Sequence, residues 1–124
     1  MKELDLGDKF DTTNVTNMNR MFDNCGYSQM TSLYLGDKFN TIHVIDMTNM
    51  FYACGNSQMT SLDLGQAFRN IAAINDSIFQ ATGKSDCIIY CHQDIYEDAS
   101  NFKLNASSTT TIPYMKQIEV KYGI

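Results

Sequence analysis

Residues Leu4–Ser32, LDLGDKFDTTNVTNMNRMFDNCGYSQMTS, are followed without a gap by Leu33–Ser61, LYLGDKFNTIHVIDMTNMFYACGNSQMTS, and the two agree at 18 of 29 positions. A third, eroded copy opens at Leu62 with LDLGQAF. A fixed period of this size marks a solenoid, in which each unit is too small to bury its own apolar face and must stack on its neighbours. No other feature of the chain constrains its fold as tightly.

Within one copy the hydrophobic period changes. Leu4-Asp5-Leu6, Leu33-Tyr34-Leu35 and Leu62-Asp63-Leu64 alternate, which predicts a short half-buried strand. Val15, Met18, Phe22 and Cys25, and again Val44, Met47, Phe51 and Cys54, step by three, four and three, which predicts a helical turn or two. Gly26 and Gly55 stand where a left-handed residue would end such a turn. The expected fold is an α/β solenoid with a parallel sheet on one face and short helical turns on the other. The leucines, Phe10/Phe39, Val15/Val44 and the methionines repeat unchanged, as a packed interior requires, whereas Asp5/Tyr34, Asn14/His43 and Asp23/Tyr52 drift, as a surface allows.

The third copy loses its GDK triplet to Gly65-Gln66-Ala67, and its Phe-to-Phe spacing shrinks from twelve residues to eleven. A fourth strand is expected at Cys87–Cys91, two residues early. Residues 1–91 thus read as about three repeats plus a strand, and residues 92–124 as a carboxy-terminal cap of one helix and one strand. In that cap Asp94 and Glu97 form a capping box, Ile95, Ala99, Phe102 and Ala106 line one helix face, and Ile118, Val120 and Tyr122 alternate as a last strand.

Composition removes several classes of function. Nine basic against 14 acidic residues give a net charge of −5, with no electrostatic footprint for nucleic acid. No window approaches the ~18 apolar residues of a membrane span. The four cysteines are expected as free thiols. Cys25 and Cys54 share a repeat position, and an i,i+4 pair such as Cys87 and Cys91 on one strand lies ~13 Å apart, too far to bridge. No catalytic residue, metal or cofactor is assigned. Cys87, Cys91 and His92 form the one cluster open to a metal or redox reading, but a structural zinc site wants a second ligand pair and none follows.

The spacing Met30-x-x-Leu33-x-Leu35 resembles the leading half of a leucine-rich repeat, and FDTTNVTNMNRMFDNC (Phe10–Cys25) with its second copy (Phe39–Cys54) resembles the BspA-type subfamily of bacterial surface leucine-rich repeats. The resemblance is nearly slot for slot over residues 1–61, though Lys9 and Lys38 stand where those proteins carry an asparagine or cysteine ladder. It implies a non-enzymatic, cell-surface or secreted adhesion module with a protein or glycan partner. The alternatives are a structural spacer with no ligand of its own and, more weakly, a Cys/His metal or redox module.

If the leucines point inward, Asp5, Tyr34, Asp63 and Ile89 form an outward column, the candidate binding surface. A second column would run Glu3, Ser32, Ser61 and Cys87. Met1-Lys-Glu-Leu4 aligns with Met30-Thr-Ser-Leu33, so we expect a piece of a longer array whose uncovered first strand is prone to self-association.

Overall fold

A computed structural model describes residues 3–70, 72, 78–79, 82–84, 87–97 and 118–123. Five strands form one parallel sheet in chain order: β1 (Glu3–Asp5), β2 (Ser32–Tyr34), β3 (Ser61–Asp63), β4 (Ile88–His92) and β5 (Ile118–Tyr122). The chain climbs one strand per repeat, as a solenoid does. One helix, α1 (Gln93–Glu97), leaves β4. The rest of the expected cap helix, including Ala99, Phe102 and Ala106, lies outside the described residues.

Register follows the repeat. Leu4 pairs with Leu33 and Leu33 with Leu62, and Leu33, Leu35, Leu62 and Leu64 are fully buried. Leu62 then pairs with Ile89, and Asp63 with Tyr90. This corrects the candidate column. Ile89 is 1% exposed and belongs to the inward leucine row, so the fourth outward residue is Tyr90. The second column ends on Ile88, not Cys87. The shift arises because Cys87 packs beneath left-handed Gly83, as Met30 does beneath Gly26 and Met59 beneath Gly55. The strand begins one residue after Cys87.

The helical stripe takes a different form. Residues 18–25 and 47–54 are successive turns, closed by bonds such as Met21 N–H to Met18 O (3.1 Å) and Cys25 N–H to Phe22 O (3.1 Å). Arg20, Asn24, Asn49 and Ala53 have φ between 55° and 58°, which no right-handed helix accepts. Consecutive four-residue turns bring the same side inward at every fourth residue, so Met18 and Phe22 imitate a helical period. The alternate amides are thereby freed for the next coil. Met18, Arg20, Phe22 and Asn24 donate to the carbonyls of Asp46, Thr48, Met50 and Tyr52 at 2.8–2.9 Å.

Two phenylalanine ladders fill the interior. Phe10, Phe39 and Phe68 stack at 6.1 and 6.0 Å, and Phe22, Phe51 and Phe79 at 5.4 and 5.5 Å. Met18, Met30, Met47, Met50 and Met59 close the remaining space, a use suited to an unbranched side chain among irregular gaps. The turn directly after the strand, lacking an asparagine ladder, is closed by aspartates where Asp5 and Asp63 accept the N–H of Gly7 and Gly65 (2.7 and 2.9 Å), and the next corner is satisfied by threonines. The Thr12 hydroxyl donates to Asn40 O (2.7 Å), and the Thr41 hydroxyl to Asn70 O (3.0 Å).

At the carboxy-terminal end β5 lies along β4, with a register shift between Cys91 and His92. His92, rather than Asp94, caps α1: its Nδ1 accepts the Asp94 N–H at 3.0 Å. The Asp94 carboxylate instead holds Arg69, with Nε and Nη2 each 3.1 Å from Oδ2.

Candidate functional site

The outward column lies on the sheet face and reads Asp5, Tyr34, Asp63, Tyr90. Its members have very different surroundings. Asp5 is exposed and accepts the Gly7 N–H at 2.7 Å, a local turn. Tyr34 is half-buried and donates its hydroxyl to Asp37 at 2.6 Å. Asp63 is only 7% exposed and has three donors: Gly65 N–H at 2.9 Å, Lys121 Nζ at 2.6 Å and the Tyr122 hydroxyl at 2.8 and 2.9 Å from its two oxygens. The Lys121 ammonium reaches Asp63 past the intervening strand, 5.5 Å from the ring centres of both Tyr90 and Tyr122.

The patch is therefore one network across four strands. Tyr34 and Tyr90 come from the column, Asp37 from the following turn, and Lys121 and Tyr122 from β5. The hydrogen bond to Asp37, helped by burial, holds the Tyr34 phenol above its ordinary value. Burial first, then the bond to Asp63, does the same for Tyr122. The bond to Asp63 raises Lys121, against a smaller effect of burial. Sequence reasoning placed Tyr34 and Asp63 and missed Tyr90, Asp37, Lys121 and Tyr122. Setting Cys87 opposite Thr60 rather than opposite Ser61 would have given Tyr90. Nothing local announces the two β5 residues, because only the strand pairing brings them beside Asp63.

Asp63→Ala is expected to loosen β5. A buried acceptor serving three donors is lost, and a deletion of that kind costs about 1–3 kcal/mol. Chemical denaturation should read the loss, with faster amide exchange confined to residues 118–123. Uniform acceleration across the sheet would show that Asp63 does not act as a clasp.

The clasp also carries a pH dependence. Tyr34, Tyr122 and Lys121 have folded values raised above their ordinary 10.0, 10.0 and 10.5. A raised folded value gives stability that is complete below the unfolded value and is lost as pH climbs through the folded one. The melting temperature should thus include the full contribution up to about pH 10 and lose it above. Tyr122→Phe should shrink the alkaline decline; an unchanged decline would assign it to other groups.

The cysteines form a second group. All four are free. Burial pushes the Cys54 thiol strongly up, and Cys25 likewise in the half-buried first coil, so neither is a thiolate at neutral pH. Cys91 Sγ lies 3.6 Å from Glu119 O, and His92 Nδ1 is occupied by the Asp94 amide. Among the described residues no three His, Cys, Asp or Glu side chains come together as a metal cage. His43, which matches Asn14 in the first copy, is exposed.

Beside the solenoid corner lies an open groove of about 470 Å³, lined by Asn40, Gln66, Ala67, Arg69, His92 and Gly123. Ala67 in its lining stands at the repeat position that Lys38 holds in the second copy. Among the described residues no helix is long and apolar enough to cross a membrane.

These features define a repeat protein of the parallel β-solenoid class, about three coils high with a fourth strand and β5 completing the sheet. Residues 2–109 match the family described as "Mycoplasma protein of unknown function, DUF285", and the chain belongs to that family. Neither a curated protein nor a solved structure matches it.

Proposed function

We propose that this chain is a non-enzymatic recognition module of a cell-surface or secreted repeat protein, engaging a protein partner through the sheet-face patch of Tyr34, Tyr90 and Tyr122. One observation carries this reading. Three half-buried tyrosines surround an ion pair, Asp63–Lys121, whose charges are already matched within the fold. Tyrosine is enriched at binding hot spots, where a rigid ring offers area and a hydroxyl offers a bond. Internal pairing of the charges leaves little isolated charge to desolvate when a partner covers the patch. The resemblance of Phe10–Cys25 and Phe39–Cys54 to BspA-type repeats supports a surface location and an adhesive role.

A catalytic role has less support. The two perturbed phenols are held protonated at neutral pH, and the Asp63 carboxylate is occupied by its three donors. Neither is set up as a nucleophile or base.

The test is a binding screen of the intact chain against extracellular matrix proteins and, in parallel, host glycans. Tyr34→Ala and Tyr90→Ala are the informative variants, because Asp63→Ala also disturbs β5. Binding to a matrix protein that falls at least ~10-fold in either tyrosine variant is the expected result, as a hot spot requires. Binding confined to glycans would move the partner class. No binding by the wild-type chain would favour a spacer that holds other domains apart.

A further inference from the structure

The same side chains have very different surroundings in the first and second coils. Phe10 is 41% exposed where its counterpart Phe39 is 0%, and Met21 is 39% exposed where Met50 is 0%. Leu4, Leu6, Val15 and Cys25 are half-buried, while Leu33, Leu35, Val44 and Cys54 are buried. The sequence at these positions is the same in both copies; only the presence of a covering coil differs.

The backbone of this end is just as incomplete, and its groups are segregated by type. In the second coil the carbonyls of Asp46, Thr48, Met50 and Tyr52 accept from the first coil. Their counterparts, Asn17, Asn19, Met21 and Asp23, accept from no other coil among the described residues. Ile45, Gly55 and Ser57 donate back to Thr16, Cys25 and Tyr27. Their counterparts, the N–H groups of Thr16, Gly26 and Ser28, likewise have no such acceptor among the described residues. The end thus displays a run of acceptors from Asn17 to Asp23, flanked by donors at Thr16, Gly26 and Ser28, together with the half-exposed Phe10 ring.

We propose that this end is a docking surface for one further coil of the same 29-residue repeat, stacked parallel and in register. Such a coil supplies donors at the places of Met18, Arg20, Phe22 and Asn24, acceptors at those of Thr16, Cys25 and Tyr27, and a phenylalanine above Phe10. A second copy of the chain fits less well. Glu3 and Asp5 are both exposed on β1, so two-fold antiparallel pairing centred on Leu4 would set Glu3 against the partner's Asp5, and like charges directly opposed destabilise a strand pair. Head-to-tail stacking would set β1 against β5, whose sequence and register shift against β4 depart from the repeat. The charges on β1 discourage self-pairing.

The full chain carrying an added copy of Leu4–Gln29 ahead of Met1 tests this directly, because Met1-Lys2-Glu3 then completes the 29-residue period. The expected result is a higher melting temperature and amide exchange at Thr16, Gly26 and Ser28 slowed by at least ~10-fold, as burial of those bonds requires. An extension of the same composition in scrambled order should give neither. Unchanged exchange at the three amides in the ordered extension would overturn the proposal. So would a concentration-dependent dimer of the unextended chain that protects those amides, since the surface would then belong to a second copy.

Discussion

Phe51→Ala is expected to cost about 3–5 kcal/mol, the range for removing a large buried ring that the surroundings cannot refill. Phe51 is fully buried at the centre of its ladder, 5.4 Å from Phe22 and 5.5 Å from Phe79. Each such aromatic pair adds about 0.5–1.5 kcal/mol beyond the area it buries. Because a solenoid holds together through nearest-neighbour interfaces, the loss should separate the coils on either side of Phe51. Phe10→Ala supplies the comparison: that ring is half-open and stacks on Phe39 alone among the described aromatics. Denaturant unfolding of both variants checks the expectation. Equal losses would mean that ladder position does not govern stability.

Gly36→Ala should be nearly as damaging, for a backbone reason. Gly36 has φ of 89°, and a Cβ placed there would overlap the carbonyl oxygen of Gly7 in the coil above. An alanine in a left-handed conformation costs about 1–2 kcal/mol by itself. The overlap adds to this, because it can be relieved only by moving one coil off another. Gly7 is the internal control. It has φ of 77° with nothing within 4 Å of its added Cβ, so Gly7→Ala should show the conformational cost alone. Melting temperatures of the two variants check this, and a Gly7→Ala loss as large as that of Gly36→Ala would show that coil contact is not what requires the glycine.

Both expectations start from residues whose identity repeats between the copies, and that is where the sequence was most legible. The positions of Leu33, Leu62, Phe39, Phe51 and Met47 in the interior follow from the repeat, because identical side chains in stacked coils must meet identical neighbours. Conformation was less legible than burial. A stripe at steps of three and four predicts a helix, yet Arg20, Asn24, Asn49 and Ala53 adopt left-handed φ and build turns. Side-chain periodicity records which side faces inward, and helices and chained turns share that record. They differ in where the amide protons go, which no side-chain pattern states.

The candidate surface divides in the same way. Tyr34 and Asp63 were assigned from alternation along strands of known register. Ile89 was misplaced because the apolar run Cys87–Cys91 alternates with nothing, and only its pairing with Leu62 fixes its direction. Lys121 and Tyr122 lie 58 and 59 residues from Asp63 in the chain. Their meeting depends on β5 joining the sheet beside β4.

By itself the sequence determined a stack of coils, its period and the side chains that fill it, because a repeated unit leaves stacking as the only way to bury its apolar face. The tertiary structure alone decided that Asp63 is clasped rather than free and that Tyr90 completes the outward column. Those outcomes depend on which backbone groups and side chains from distant parts of the chain come within bonding distance, and only the folded arrangement sets that.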